Sequence, residues 1–193
     1  MPIVEQDIRE LILDTTRNLL TRDGYNSLSM RKIAKTAGCG LGTIYIYFEN
    51  KDVLIHDLID EGFEKMYLSL RETVEKEKEA RLRLAAFIRA YIHFGLQNPE
   101  FYEIMYLLHP ERMQRYPREK YRRARRSLEL LESLIKEVGS KKSGLGKEQL
   151  LSYSIWSALH GAVTIILAKR LDNSISREAF IESVISGALS SVE

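Results

Sequence analysis

The residues of this chain that could do chemistry lie together in the stretch "GCGLGTIYIYFENKD", Gly38 to Asp52. It packs three glycines, Thr43, Tyr45, Tyr47 and Phe48 into about one short helix before Lys51 opens another. Their chemistry is that of recognition. Glycines at the start of a helix let its backbone come close to a ligand. Ile44 and Phe48 stand four apart and share a core-facing side, which leaves Gly42, Thr43, Ile46 and Tyr47 pointing outward. Lys51, a cation at the first position of its helix, opposes the helix macrodipole by about 0.3–1 kcal/mol, and a phosphate docked there would reverse the sign. Taken alone, Lys51 is equally well a solvated lysine; beside the aromatic helix the anion is the better account. Catalysis is not indicated. His56, His93 and His109 are isolated, His160 reads as a hydrogen-bonded core histidine, and no nucleophile, base or metal-ligand spacing accompanies them. The expectation is no catalytic residue, no metal and no cofactor.

These residues need elements to hold them. Strand signals are nearly absent and apolar residues recur at helical spacing, which predicts an all-α chain. A first helix runs from about Val4 to Asp23, with Ile8, Leu11, Ile12, Thr15 and Leu19 on one face and Gly24 as a left-handed C-cap. Ser29 can N-cap a second helix, "MRKIAKTA", that buries Met30, Ile33, Ala34 and Ala37 and stops at Gly38. The third covers about 41–48. Asn50 then N-caps a long fourth helix, apolar at Val53, Leu54, Leu58, Ile59, Phe63, Met66 and Leu70, whose charged later part suits an exposed connector.

Two helices joined by a glycine turn, the second very short, have the shape of a helix-turn-helix whose second helix enters the DNA major groove. The charge distribution agrees. Residues 24–51 carry a net +3 while residues 1–23 carry −2, so the basic footprint belongs to the second and third helices.

The stretch "LSMRKIAKTAGCGLGTIYIYFENKDVL", Leu28 to Leu54, resembles the signature of the tetracycline-repressor (TetR) family. There a threonine-led second helix, an alanine-glycine turn, a Gly-Thr-hydrophobic-Tyr-x-Tyr/His-Phe recognition helix and a Lys-opened fourth helix follow in that order. The resemblance implies an N-terminal DNA-binding domain over 1–50, joined by a long helix to an effector-binding and dimerisation domain over 51–193. It implies a ligand-relieved repressor acting as a homodimer on a palindromic operator. By position, Tyr45, Tyr47, Lys51 and Ser29 resemble phosphate contacts, and Arg31, Leu41, Gly42 and Thr43 resemble residues that reach base edges; for Leu41, local packing is the stronger alternative. Many relatives have a small apolar residue then serine at the turn, where this chain has Cys39 and Gly40, so the usual side-chain cap of the recognition helix is lost.

The rest of the chain is read more coarsely. Its 193 residues hold one sizeable core or two small ones, and 45% hydrophobic with 29% charged residues is the balance of a folded chain. A single cysteine, Cys39, and no export signal predict the cytoplasm. The longest apolar run, Ala158 to Ala168, is interrupted by His160 and shorter than the roughly 20 residues of a membrane helix, so no span is expected. Two final helices, about 147–170 and 176–191, are apolar enough to pair with a second copy through Leu159, Val163, Ile166, Phe180, Val184, Ile185 and Ala188. Phe87, Tyr91, Phe94, Tyr102, Met105, Tyr106, Tyr121, Trp156 and His160 read either as core or as the lining of an effector pocket, with tyrosines supplying polar handles. The run Pro110 to Arg126 carries net +6 and residues 56–80 carry −4. The run is either a solvated face opposite the acidic helix, the favoured reading, or a site for an acyl-coenzyme A-like effector. A helical lipid or small-molecule carrier without a DNA role is the rival reading of the whole chain.

Overall fold

The computed structural model describes residues 2–107, 117–139 and 147–192, with the side chains of 2–7, 107, 118, 119, 121 and 147 outside the description. Among the described residues the chain forms nine α-helices and no strand, as its periodicity predicts. They are α1 (Pro2–Asp23), α2 (Met30–Ala37), α3 (Leu41–Tyr47), α4 (Lys51–Glu75), α5 (Ala80–Gln97), α6 (Pro99–Tyr102), α7 (Arg118–Val138), α8 (Lys147–Leu167) and α9 (Arg177–Ser190). A 3₁₀ turn at Tyr25–Ser27 follows α1, and a π turn at Glu103–Leu107 continues α6. Packing divides the chain into two compact units, residues 1–63 with 100–121, and residues 64–99 with 122–193. The division falls inside α4 rather than at residue 50, because the first half of α4 buries Leu54, Ile55, Leu58 and Ile59 within the first unit.

In the first unit, α1 packs on α2 and α2 on α3. The buried face of α1 is Ile12, Leu13, Thr15, Thr16, Leu19 and Leu20, whereas Leu11 is 48% exposed. Ile12, Thr15 and Leu19 are buried as the sequence suggests, and Leu11 is the correction: a helix with apolar residues at three adjacent positions leaves its exact rotation undetermined by spacing alone. Gly24 also differs from expectation. Its φ of 73° and ψ of 167° lie in the extended positive-φ region rather than in a left-handed helical cap, and the chain leaves α1 directly into the 3₁₀ turn.

Arg17, on α1, lies at the centre of this unit. Its guanidinium reaches both carboxylate oxygens of Glu61 at 3.1 Å, takes Asp14 at 2.7 Å and sits 4.3 Å above the Phe101 ring. Tyr106 of the π turn stands edge-on to Phe63 at 5.5 Å. Asn98, the residue before α6, donates its side-chain amide to the Phe94 carbonyl at 3.0 Å and so closes α5.

In the second unit, α5 packs on α8 and α9, and α8 on α9. Their core includes Leu84, Phe87, Ile88, Tyr91, Ile92, Ile155, Leu159, Val163, Ile185 and Ala188. Arg83 pairs with Glu137 and Arg89 with Glu182, tying α5 to α7 and to α9. Helix α8 departs from the sequence expectation: Glu148–Leu167 is long and apolar enough by length and composition to cross a membrane, and only 28% of that window is buried. The lone imidazole that interrupts the apolar run does not raise the polarity of the helix as a whole.

A Cβ built on Gly62 would lie 2.6 Å from Met105 Sδ, 2.8 Å from Met105 Cγ and 3.1 Å from Phe101 Cδ1. In open space, alanine for a mid-helix glycine would stabilise by about 0.5–1 kcal/mol. Here the crowding reverses the sign, and Gly62→Ala is expected to destabilise by about 1–3 kcal/mol in urea unfolding. Adding Met105→Ala should recover part of that loss beyond the sum of the single changes; strict additivity of the two would mean that α4 does not rest on the π turn there.

Candidate nucleic-acid interface

The surface is built from caps. Ser29 sits in extended backbone and its hydroxyl accepts from the Lys32 amide at 3.2 Å, starting α2. Gly38, at φ 69° and ψ 25°, ends α2 in the left-handed conformation that only glycine adopts cheaply, and the Cys39 amide donates to the Ala34 carbonyl at 3.1 Å. Asn50 Oδ1 accepts from the Val53 amide at 2.9 Å and starts α4. Between these stops α3 has no choice of register. As the sequence implies, its own N-cap, Gly40, supplies no side-chain hydrogen bond.

Ile44 and Phe48 are buried to 0% and 1% exposure, holding α3 to the unit. The opposite face is open: Ile46 is 80% exposed, Tyr45 52%, Gly42 is exposed, and Leu41, Thr43 and Tyr47 are half-exposed. A helix carrying tyrosines, a glycine and an isoleucine on its outer face, and no carboxylate, fits a major groove about 12 Å wide. The charge beside it is narrower than the sequence sum. Lys32 pairs with Asp23 at 2.9 Å, and Arg22 and Lys32 together hold the Asp23 carboxyl well below the usual carboxylate range through their hydrogen bonds. The outward cations beside α3 are therefore Arg31 and Lys35, both exposed.

Lys51 is half-buried and not a free surface lysine. Its ammonium lies 3.7 Å from the centre of the Tyr25 ring and donates to the Tyr25 and Leu28 carbonyls at 3.4 and 3.5 Å. Tyr25 in turn donates its hydroxyl to Asp52 Oδ1 at 2.6 Å, and burial together with that carboxylate pushes its phenol up to about 12. Neither Tyr25 nor Asp52 was singled out by sequence reasoning. The available signals were an aromatic directly after the glycine that ends α1, and an acid in the first turn of α4.

The expected effector residues fall into separate clusters. Phe87, Tyr91 and Phe94 are buried on α5, and Trp156 stacks on His160 along α8 at 5.3 Å and 26°. Burial lowers the His160 imidazole below its ordinary value. In the other unit Tyr102 and Met105 are buried, and Tyr106 lies 4.9 Å from Tyr102. The Tyr121 side chain lies outside the described residues. A cavity of about 240 Å³ between α5 and α9 is lined by none of these residues, but by Arg89, His93, Leu96, Arg177 and Ile181 among others. Of the basic run, residues 110–116 lie outside the described residues, while Lys120 pairs with Asp57 and Arg126 with Glu64, as a face opposed to the acidic helix requires.

The expected dimer residues need correction. Leu159, Val163, Ile185 and Ala188 are buried within the chain's own core, and Ile166, Phe180 and Val184 are half-buried. The other side of α8 is open: Leu150 is 72% exposed and Tyr153, Ser157 and Ile165 are exposed with it.

Residues 12–58 match the family described as "Bacterial regulatory proteins, tetR family", and residues 84–188 match "Tetracyclin repressor-like, C-terminal domain". An uncharacterized HTH-type transcriptional regulator of Haemophilus influenzae is 39% identical over 93 residues, covering 48% of this chain and 50% of that protein. The fatty acid metabolism regulator protein of Bacillus subtilis is 33% identical over 85 residues, 44% of this chain and 43% of that protein. The chain thus spans about half the length of the curated relatives it matches. The fatty acid degradation regulator FadR from Bacillus halodurans shares the fold, with a TM-score of 0.72 at 22% identity over 94% of each chain.

Tyr25 gives this surface a pH signature. Its phenol keeps its proton to about 12 when folded, against 10.0 for an unperturbed tyrosine, so its stabilising contribution is complete below pH 10 and is lost as pH rises toward 12. Urea unfolding of the unmodified chain and of Tyr25→Phe should therefore show a stability difference that is constant below pH 10 and shrinks above it. A difference that stays level through this alkaline interval would rule out the bond to Asp52.

Proposed function

The chain belongs to the tetR family of bacterial regulatory proteins, and from that premise we propose that it is a sequence-specific DNA-binding transcriptional regulator, a cytoplasmic homodimer that represses from a palindromic operator until an effector releases it. The observation that carries this reading is α3, pinned through Ile44 and Phe48 while Tyr45, Ile46 and Tyr47 stand outward beside Arg31 and Lys35. Ser29, Tyr45, Tyr47 and Lys51 hold backbone phosphates; Arg31, Gly42 and Thr43 approach base edges, with Leu41 and Ile46 offering methyl contacts to thymine. One half-site gives too little affinity, and a two-fold dimer reads two half-sites about one helical turn or more apart. The exposed, uncharged side of α8 supports that dimer.

The effector we infer is small and apolar or amphipathic, of the acyl-coenzyme A kind. Support comes from the aromatic clusters with their tyrosine hydroxyls, and from the relative whose name concerns fatty acid metabolism. Release requires only that the effector bind the two dimer states with different affinity.

Selection of random duplexes by the purified chain should enrich a palindrome with fixed half-site spacing. Recovery of no site at low salt, from folded and effector-free protein, would instead favour an apolar-ligand carrier. On the selected operator, Arg31→Ala should cost about 1–3 kcal/mol and relax preference at one base position. Equal loss on operator and on unrelated DNA would demote Arg31 to a phosphate contact. Long-chain acyl-coenzyme A should lower operator affinity in a titration, and an unchanged affinity would remove that effector class.

A further inference from the structure

We propose that Tyr25 is a positioning residue for DNA binding: it seats the Lys51 ammonium beside the start of α2, so that Lys51 and Ser29 present charge and hydrogen bonds to one backbone phosphate. This rests on the DNA-binding reading above. The seat has three walls. The ring face of Tyr25 lies 3.7 Å from the ammonium nitrogen, and aromatic faces attract cations. The Tyr25 and Leu28 carbonyls, at 3.4 and 3.5 Å, turn the negative end of the 3₁₀ turn toward it. Asp52 closes the arrangement from behind by taking the Tyr25 hydroxyl at 2.6 Å, which fixes the ring plane and enriches its electron density.

The seat resolves the position of a lysine that its own helix disfavours. At the start of α4 the ammonium meets the positive end of the macrodipole, yet it is folded back onto groups of the opposite polarity. The two carbonyl contacts are long, so they orient the ammonium without exhausting its three donors. Leu28 directly precedes Ser29, the N-cap of α2, so Lys51 lies next to the α2 start, whose first-turn amides and positive dipole end favour the same anion. A free lysine would lose side-chain freedom on meeting a phosphate; here that freedom is already lost on folding.

The test is the salt dependence of binding to a labelled duplex of random sequence, which reads phosphate contacts without needing the operator. Lys51→Ala should lower the slope of log affinity against log salt by about one. Tyr25→Leu should lower it by the same amount, the double variant should lose no more than either single one, and Tyr25→Phe, which keeps the ring, should retain the slope. A Tyr25→Leu chain that is folded and keeps the full slope, or a double variant whose losses add, overturns the proposal. Should Tyr25→Leu not fold, the unmodified chain still decides: ring current from Tyr25 must shift the Lys51 ε-methylene protons upfield, and random-coil shifts there would overturn the seat. An unmodified chain that binds no duplex at low salt overturns the DNA reading itself, while the ring-current measurement separately reports whether the seat exists.

Discussion

Everything on the proposed DNA-binding surface depends on the burial of two side chains, Ile44 and Phe48. Helix α3 spans Leu41–Tyr47, far below the roughly 12–15 residues at which an isolated helix becomes marginal in water. Its N-cap contributes no side-chain hydrogen bond, and its outer face has no partner in the unit. Full burial of a side chain of this size is worth about 1.5–3 kcal/mol, so the pair supplies most of what keeps seven residues helical. The stops on either side, Gly38 and Asn50, then fix where that helix begins and ends. A reading surface made this way is rigid because of what lies beneath it, and its outward residues are free to be chosen for contact alone.

Helix α4 carries the second constraint. Its acids are arranged for neighbours: Asp57 takes Arg9 and Lys120, Glu61 takes Arg17, and Glu64 takes Arg126. These pairs are partly exposed, and such pairs are worth about 0–1 kcal/mol each. They are therefore better understood as orienting α4 than as stabilising the fold, which rests on Leu54, Leu58, Phe63, Met66 and Leu70. The same arithmetic explains the basic run on α7. Where Lys120 and Arg126 are already matched by carboxylates, little positive charge remains at those positions to attract a ligand.

How much of this was legible in the sequence varies with the kind of signal. Caps were readable, since Ser29, Gly38 and Asn50 are residue types with one conformational purpose, and they bracket α2, α3 and α4 as expected. The inward pair Ile44 and Phe48 was readable because a helix this short has only one face that can be buried. Leu11 was not, because Leu11, Ile12 and Leu13 form an apolar cluster with no polar residue to fix the rotation. Tyr25 and Asp52 were missed because they are distant in sequence and meet only when the 3₁₀ turn folds against α4. On α8 and α9 the pattern was apolar on nearly all sides, so it could not say which side serves the chain's own core. Leu159 and Val163 were assigned outward and lie inward.

That ambiguity bears on the dimer proposed above. From Leu150 to Leu167 the helix has no Asp, Glu, Lys or Arg, and one side of it packs on α5 and α9. The other side, with Leu150, Tyr153, Ser157 and Ile165, is exposed in the single chain. Ser154 donates to the Leu150 carbonyl, Ser157 to Tyr153 and Thr164 to His160, at 3.0, 2.7 and 2.8 Å. Each of these three hydroxyls is thus satisfied inside its own helix, so another helix can cover them without unpairing them. Small side chains at Ser154, Ser157, Ala158 and Gly161 let backbones approach closely, and the exposed Ala179, Ser183 and Gly187 on α9 repeat the pattern. A two-fold partner presents the same two small-residue stripes in return, so one set of substitutions serves both halves of the contact. The geometry of such a dimer would set the distance between its two copies of α3.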